Sequence, residues 1–76
     1  METVNILLDT IEKVNRFVSA ISKYEGDFDL VSGRYVVNAK SIMGIFSLVL
    51  EKPVTLRIEN APNLAEILEQ IKPYIV

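Results

Sequence analysis

Residues 54–59 read Val54-Thr55-Leu56-Arg57-Ile58-Glu59, apolar and polar in unbroken alternation. A pleated strand points successive side chains to opposite faces, so this segment has one apolar face and one wet face. A sheet built from such strands covers one side and leaves the other to water. The pattern therefore suggests an antiparallel sheet with helices packed on a single side.

The remaining segments fit that plan. Thr3–Leu8 alternates, with Val4, Ile6 and Leu8 on one side, and predicts a first strand ended by Asp9-Thr10. The period then changes. Ile11, Val14, Val18 and Ile21 recur every three or four residues with Phe17 beside them, which predicts a helix over about 11–24. Asp9 followed by Glu12 has the spacing of a capping box, and Gly26 is expected to stop the helix, with Lys23 in its last turn facing the dipole.

Phe28–Val31 and Tyr35–Asn38 flank Ser32-Gly33-Arg34, the pattern of an antiparallel hairpin whose turn uses Gly33. Ser41 is a natural N-cap for a short helix carrying Ile42, Ile45 and Phe46, with Leu48 and Val49 nearby. Gly44 costs that helix about 1 kcal/mol relative to alanine, and Pro53 bars its continuation. After the loop Asn60-Ala61-Pro62-Asn63, the pair Asn63 and Glu66 repeats the capping-box spacing. Leu64, Ile67, Leu68 and Ile71 mark a third helix that must end by Lys72, because Pro73 follows. The order is β-α-β-β-α-β-α in one domain spanning 1–76, without repeat or linker. The terminal Pro73-Tyr74-Ile75-Val76 either tucks against the body or meets another chain.

Composition narrows the chemistry. A chain of 76 residues hides only about 60–65% of its unfolded surface on folding. It has no cysteine, so no disulfide, thiolate ligand or thiol nucleophile supports it. It has no histidine, which removes the usual proton shuttle and the commonest metal ligand. No glycine-rich phosphate loop is present. A pI near 5.0 argues against nucleic acid as a partner. No apolar run approaches a membrane span, and Met1-Glu2-Thr3 lacks the basic start of a signal peptide. The expectation is a cytoplasmic protein badly equipped for chemistry, with no enzymatic activity, metal, cofactor or membrane contact.

Two stretches are more specific than this. Ser22-Lys23-Tyr24, and then the run from Val37 through Asn38-Ala39-Lys40-Ser41-Ile42-Met43-Gly44-Ile45-Phe46-Ser47-Leu48, resemble HPr, the histidine-containing phosphocarrier of the bacterial sugar phosphotransferase system. The resemblance extends over nearly the whole chain and is sharpest from about residue 22 to 58. It implies an α+β fold, an open-faced β-sandwich with a four-stranded antiparallel sheet and three helices on one face.

The likeness fails where that family does its chemistry. HPr proteins carry a Gly-(Leu/Ile)-His-Ala-Arg-Pro segment after the first strand, and its imidazole takes phosphate from enzyme I and passes it to enzyme II proteins. Counting back from Ser22-Lys23-Tyr24 puts the missing histidine at Thr10, in Leu8-Asp9-Thr10-Ile11-Glu12-Lys13. Glu12 stands about where the arginine would be, so it repels phosphate instead of clamping it. A phosphothreonine is an ester of low transfer potential and cannot replace phosphohistidine. Asp9 could form an acyl phosphate in principle, but capping is its simpler role.

The resemblance also implies roles for the short helix. Ser41 matches the serine that a dedicated kinase/phosphorylase marks in Gram-positive HPr proteins. A phosphate there would meet unpaired N–H groups and the positive end of a dipole. Capping alone also explains the residue. Lys40 beside it either steadies a phosphate or is one solvated charge. Ile42, Met43 and Phe46 occupy the places by which HPr docks its partners, unless Ile42, Ile45 and Phe46 are all core. Phe46 replaces a smaller or more flexible residue, which would change the partners that fit. Val49 and Pro53 replace glycines common in the family, giving a stiffer connection.

The implied function is that of an HPr-like protein without histidine phosphocarrier activity. It would be a regulatory or protein-binding module whose partners include HPr kinase/phosphorylase or other components of the phosphotransferase system. The alternatives are an HPr fold reused for unrelated protein binding and a small ligand-binding α+β module with a ferredoxin-like layout.

Overall fold

The structure is a computed structural model that describes residues 1–48 and 50–76. Its four strands are β1 (Glu2–Ile6), β2 (Asp27–Ser32), β3 (Tyr35–Asn38) and β4 (Val54–Glu59). The helices are α1 (Ile11–Ser22), α2 (Ile42–Ile45) and α3 (Leu64–Ile71), and a 3-10 turn, Lys72–Tyr74, follows α3. Val49, expected to stiffen the link after α2, lies outside the described residues.

The strands pair antiparallel in the order β1-β4-β2-β3. A ferredoxin-like layout would insert β3 between β1 and β2. Here β4 fills that place and β3 forms an edge, so the ferredoxin-like alternative is removed.

Register explains the single core. Ile6 pairs with Val54, Val4 with Leu56, Phe28 with Ile58 and Leu30 with both Leu56 and Val37, which aligns the apolar sets on one face. Val14, Phe17, Val18 and Ile21 of α1, Ile45 of α2 and Ile67 and Ile71 of α3 close over that face. The opposite face carries Thr3, Asn5, Asp29, Thr55 and Arg57 and is open to water, as the alternation in β4 implies.

Ser32 pairs with Tyr35, so Gly33 and Arg34 form a two-residue loop in which Gly33 takes φ +59°. That positive φ matches the loop to the right-handed twist of its strands.

Four local expectations are corrected. The N-cap of α1 is Thr10, whose Oγ1 accepts from the Lys13 amide at 3.1 Å. Thr10 is in extended backbone (φ −134°, ψ 155°), so Asp9 lies one residue outside the helix and Glu12 falls one position short of a capping-box partner. Glu12 instead pairs with Arg16 at 2.6 Å. Ile11, read as part of the core stripe, stands in solvent at the first helical position.

At the far end, α1 stops at Ser22 with Lys23 as an ordinary right-handed C-cap, and the Tyr24 amide donates to the Ile21 carbonyl. Gly26 (φ +142°) acts later, where the chain turns into β2. Asn63 precedes α3 but makes no capping bond, because its backbone (ψ 37°) is not extended. Its amide donates to the Glu66 carboxylate at 3.3 Å instead.

The terminal segment tucks in. The Leu7 amide donates to the Tyr74 carbonyl at 2.9 Å, the Val76 amide donates to Asn5 at 3.0 Å, and Ile75 bridges Ile6. Tyr74 meets Phe17 edge to face, with centroids 6.0 Å apart. The tail thereby lies along the end of β1, beside Asn5, Ile6 and Leu7.

Candidate functional site

The candidate residues fall in two places. Thr10 lies at the start of α1, and Lys40, Ser41, Ile42, Met43 and Phe46 lie on and around α2.

At the start of α1, Thr10, Glu12, Lys13, Arg16, Pro73 and Tyr74 line an open hollow of about 380 Å³. Two cations stand there, and each is already paired. Lys13 Nζ donates to Asp9 at 2.9 Å, and Arg16 faces Glu12 across one helical turn. That Lys13 bond, with its charge, holds the Asp9 carboxyl below the ordinary carboxylate range. The group is thus neutral in sum, two carboxylates against two cations. The Thr10 hydroxyl oxygen accepts from the Lys13 amide. Nothing in this arrangement concentrates positive charge for a phosphoryl group.

Around α2 the polar and apolar parts separate. Ser41, in extended backbone, caps the helix by accepting from the Gly44 amide at 3.2 Å. The helix has a single turn, continued by i+3 bonds from Ser47 to Gly44 and from Leu48 to Ile45. With so few residues, burial is decided one side chain at a time. Ile45 is fully buried, whereas Ile42 is 39% exposed, Phe46 42% and Met43 82%. Ile42, Met43 and Phe46 thus reach outward with Ile45 buried beneath them, so the alternative in which Ile42, Ile45 and Phe46 are all core is corrected. Three large apolar side chains on one short turn exceed what scattered surface residues require.

Lys40 differs from both readings of the sequence. Its Nζ donates to the Tyr24 carbonyl at 2.7 Å and lies 4.9 Å from the Phe28 ring centroid. It neither extends freely into water nor turns to Ser41. It binds the loop before α2 to the end of α1, a contact sixteen residues apart in sequence and so invisible to local pattern. Asn38 supports the same loop, its Oδ1 accepting from the Lys40 amide at 2.8 Å. Ile11, exposed beside Thr10, is a further outward apolar residue that helical periodicity had assigned to the core.

Among the described residues, no three acidic side chains are grouped to hold a metal ion, and no helix is long and apolar enough to cross a membrane.

Known proteins match this architecture. The family model PTS-HPr, described as the PTS HPr component phosphorylation site, matches residues 12–75, a span that begins just beyond Thr10. No curated protein matches the chain. Among solved structures it is similar to the crystal structure of HPr-C-His from Thermoanaerobacter tengcongensis. That likeness has 28% identity and a TM-score of 0.79, and covers 96% of this chain and 89% of the other. The sheet order, the layered helices and a family match over most of its length agree: the chain belongs to the HPr family of the phosphotransferase system.

Proposed function

We propose that this protein is an HPr family member that does not carry phosphate on histidine and works in the cytoplasm as a protein-binding, regulatory module. The observation that carries the reading is the contrast between its two candidate places. The chain contains no histidine, and the start of α1 presents Thr10 among paired, mutually neutralised charges. The α2 surface, by comparison, keeps Ile42, Met43 and Phe46 outward beside Ser41. Loss of the transfer group removes carrier chemistry and leaves docking as the activity the molecule can still perform.

In this reading Met43 and Phe46 are the adaptable contact residues. Ser41 is the regulatory site, and the partner is HPr kinase/phosphorylase or another component of the phosphotransferase system. A phosphate on Ser41 would exchange the Oγ–Gly44 cap for charge-assisted acceptance from the same amide, next to the apolar surface. The change acts through charge on the docking face and requires no rearrangement of the sheet.

Incubation with HPr kinase/phosphorylase and ATP, followed by intact mass measurement, tests this. One added phosphate, absent in Ser41→Ala, is expected. An unmodified mass would end the reading of Ser41 as the regulatory site and favour an HPr fold serving unrelated partners.

A further inference from the structure

The two edges of the sheet are treated differently. Along β1 the terminal segment supplies backbone bonds from Val76 to Asn5 and from Leu7 to Tyr74. β3, on the other edge, is Tyr35-Val36-Val37-Asn38, without charge, proline or bulge. Those are three of the devices that ordinarily keep an edge from pairing, and β3 has only a fourth, its short length. Tyr35 is 71% exposed and Val36 53%. In a ladder closed by a two-residue loop, the main-chain groups of Tyr35 and Val37 point to β2 and those of Val36 point outward.

We infer that the β3 edge pairs with β3 of a second copy of this chain about a two-fold axis, joining the two sheets into one. Directly opposed residues of an antiparallel pair share a face, and an axis normal to the sheet keeps each face continuous. Val36 opposite its own symmetry mate satisfies both conditions and uses its outward N–H and C=O. That register sets Tyr35 against the second copy's Val37 and Arg34 against the second copy's Asn38.

Charge selects this occupant. Asn38 neighbours Asp29 in the same row, and Asp27, Asp29 and Glu59, outnumbering the single cation Lys40, line a hollow of about 290 Å³ beside it. Asp29 pairs with Arg57 at a loose 3.7 Å. Arg34 stands exposed at the hairpin tip at the other end of the same strand. Antiparallel self-pairing therefore brings each copy's Arg34 to the other's acid-lined hollow, at both ends at once. A strand of four residues buries less than a stable interface needs, so the dimer is weak, with a dissociation constant of about 1 µM to 1 mM.

Sedimentation equilibrium of the full chain, up to about 1 mM protein at low salt, tests the pairing. The weight-average mass is expected to climb from 8.6 kDa toward twice that value. Val36→Pro removes the outward N–H and leaves the β2–β3 ladder bonds of Tyr35 and Val37 in place, so it should weaken the dimer at least about tenfold while circular dichroism still reports the folded sheet. Should that variant fail to fold, Val36→Lys gives the same reading through edge charge. Arg34→Glu should also weaken the dimer, and the wild-type dimer should loosen with salt. A monomer at every concentration, or a dimer that survives Val36→Pro in a folded variant, would overturn the inference. So would a monomer whose β3 edge binds only an extended acidic peptide. A dimer indifferent to Arg34→Glu would overturn the charge contact.

Discussion

The Lys40 ammonium donates to the Tyr24 carbonyl at 2.7 Å while resting 4.9 Å from the Phe28 ring centroid. One side chain thus fastens the loop that presents Ser41 to the end of α1 and to the core. A charged hydrogen bond contributes about 1.5–3 kcal/mol and a surface cation–π contact about 0.5–1 kcal/mol. Because the site is only partly buried, Lys40→Met is expected to cost about 1–2 kcal/mol in urea unfolding. A stability equal to wild type would show that Lys40 is merely a solvated charge.

The start of α1 makes a second prediction. Thr10→Ala removes the oxygen that accepts from Lys13 and should destabilise the fold by about 1 kcal/mol, with Thr10→Ser close to wild type. Asp9→Ala, which loses only an exposed ion pair, should cost less than Thr10→Ala. The opposite ranking in thermal melts would restore Asp9 as the cap.

The same pair has a pH signature. The Lys13 hydrogen bond, followed by its charge, lowers the Asp9 carboxyl in the folded state, so the stabilisation is present above the ordinary carboxylate value and is lost as pH falls through the lowered one. An NMR titration should find Asp9 ionising below an ordinary aspartate, and Lys13→Met should bring it back up. An unchanged titration in that variant would remove Lys13 as the cause.

Tyr24 titrates in the other direction. Burial raises its phenol, and the neighbouring Glu66 carboxylate raises it further. Its contribution to stability is complete below the ordinary tyrosine value and is lost as pH rises through the raised one. Glu66→Gln should lower the Tyr24 midpoint part of the way in an alkaline absorbance titration, leaving the burial effect in place. A full return to the ordinary value would make Glu66 the dominant cause instead.

The α2 surface and its anchor should separate under mutation. Ile45→Ala empties a fully buried site and should cost about 2–5 kcal/mol. Met43→Lys, on a side chain that stands in water, should leave stability within about 0.5 kcal/mol yet reduce phosphorylation of Ser41 by HPr kinase/phosphorylase. Wild-type phosphorylation of the Met43 variant would show that the kinase does not dock on this surface.

Much of this was legible in the chain itself, for reasons that can be named. Strict alternation over Val54–Glu59 marks the bounds of β4, because it reports a sheet with one wet face. The hairpin is legible because Gly33 supplies a backbone conformation that other residues reach only with strain. The α1 cap is ambiguous in sequence because Asp9 and Thr10 are both good caps, and only the backbone decides between them. Ile11 fits the helical stripe by spacing, but the first turn of α1 begins before the core does. The docking of Tyr74–Val76 on β1, the Lys40–Tyr24 bond and the split exposure of Ile42, Ile45 and Phe46 depend on contacts distant in sequence. Periodicity carries no information about those.

The most direct test of the account is transfer itself. The purified chain is incubated with enzyme I and labelled phosphoenolpyruvate, and an enzyme II component is then added. With no imidazole to receive the phosphoryl group, the chain is expected to stay unlabelled and to pass nothing on. Label that appears on this chain and moves to the enzyme II component would contradict the account at its centre.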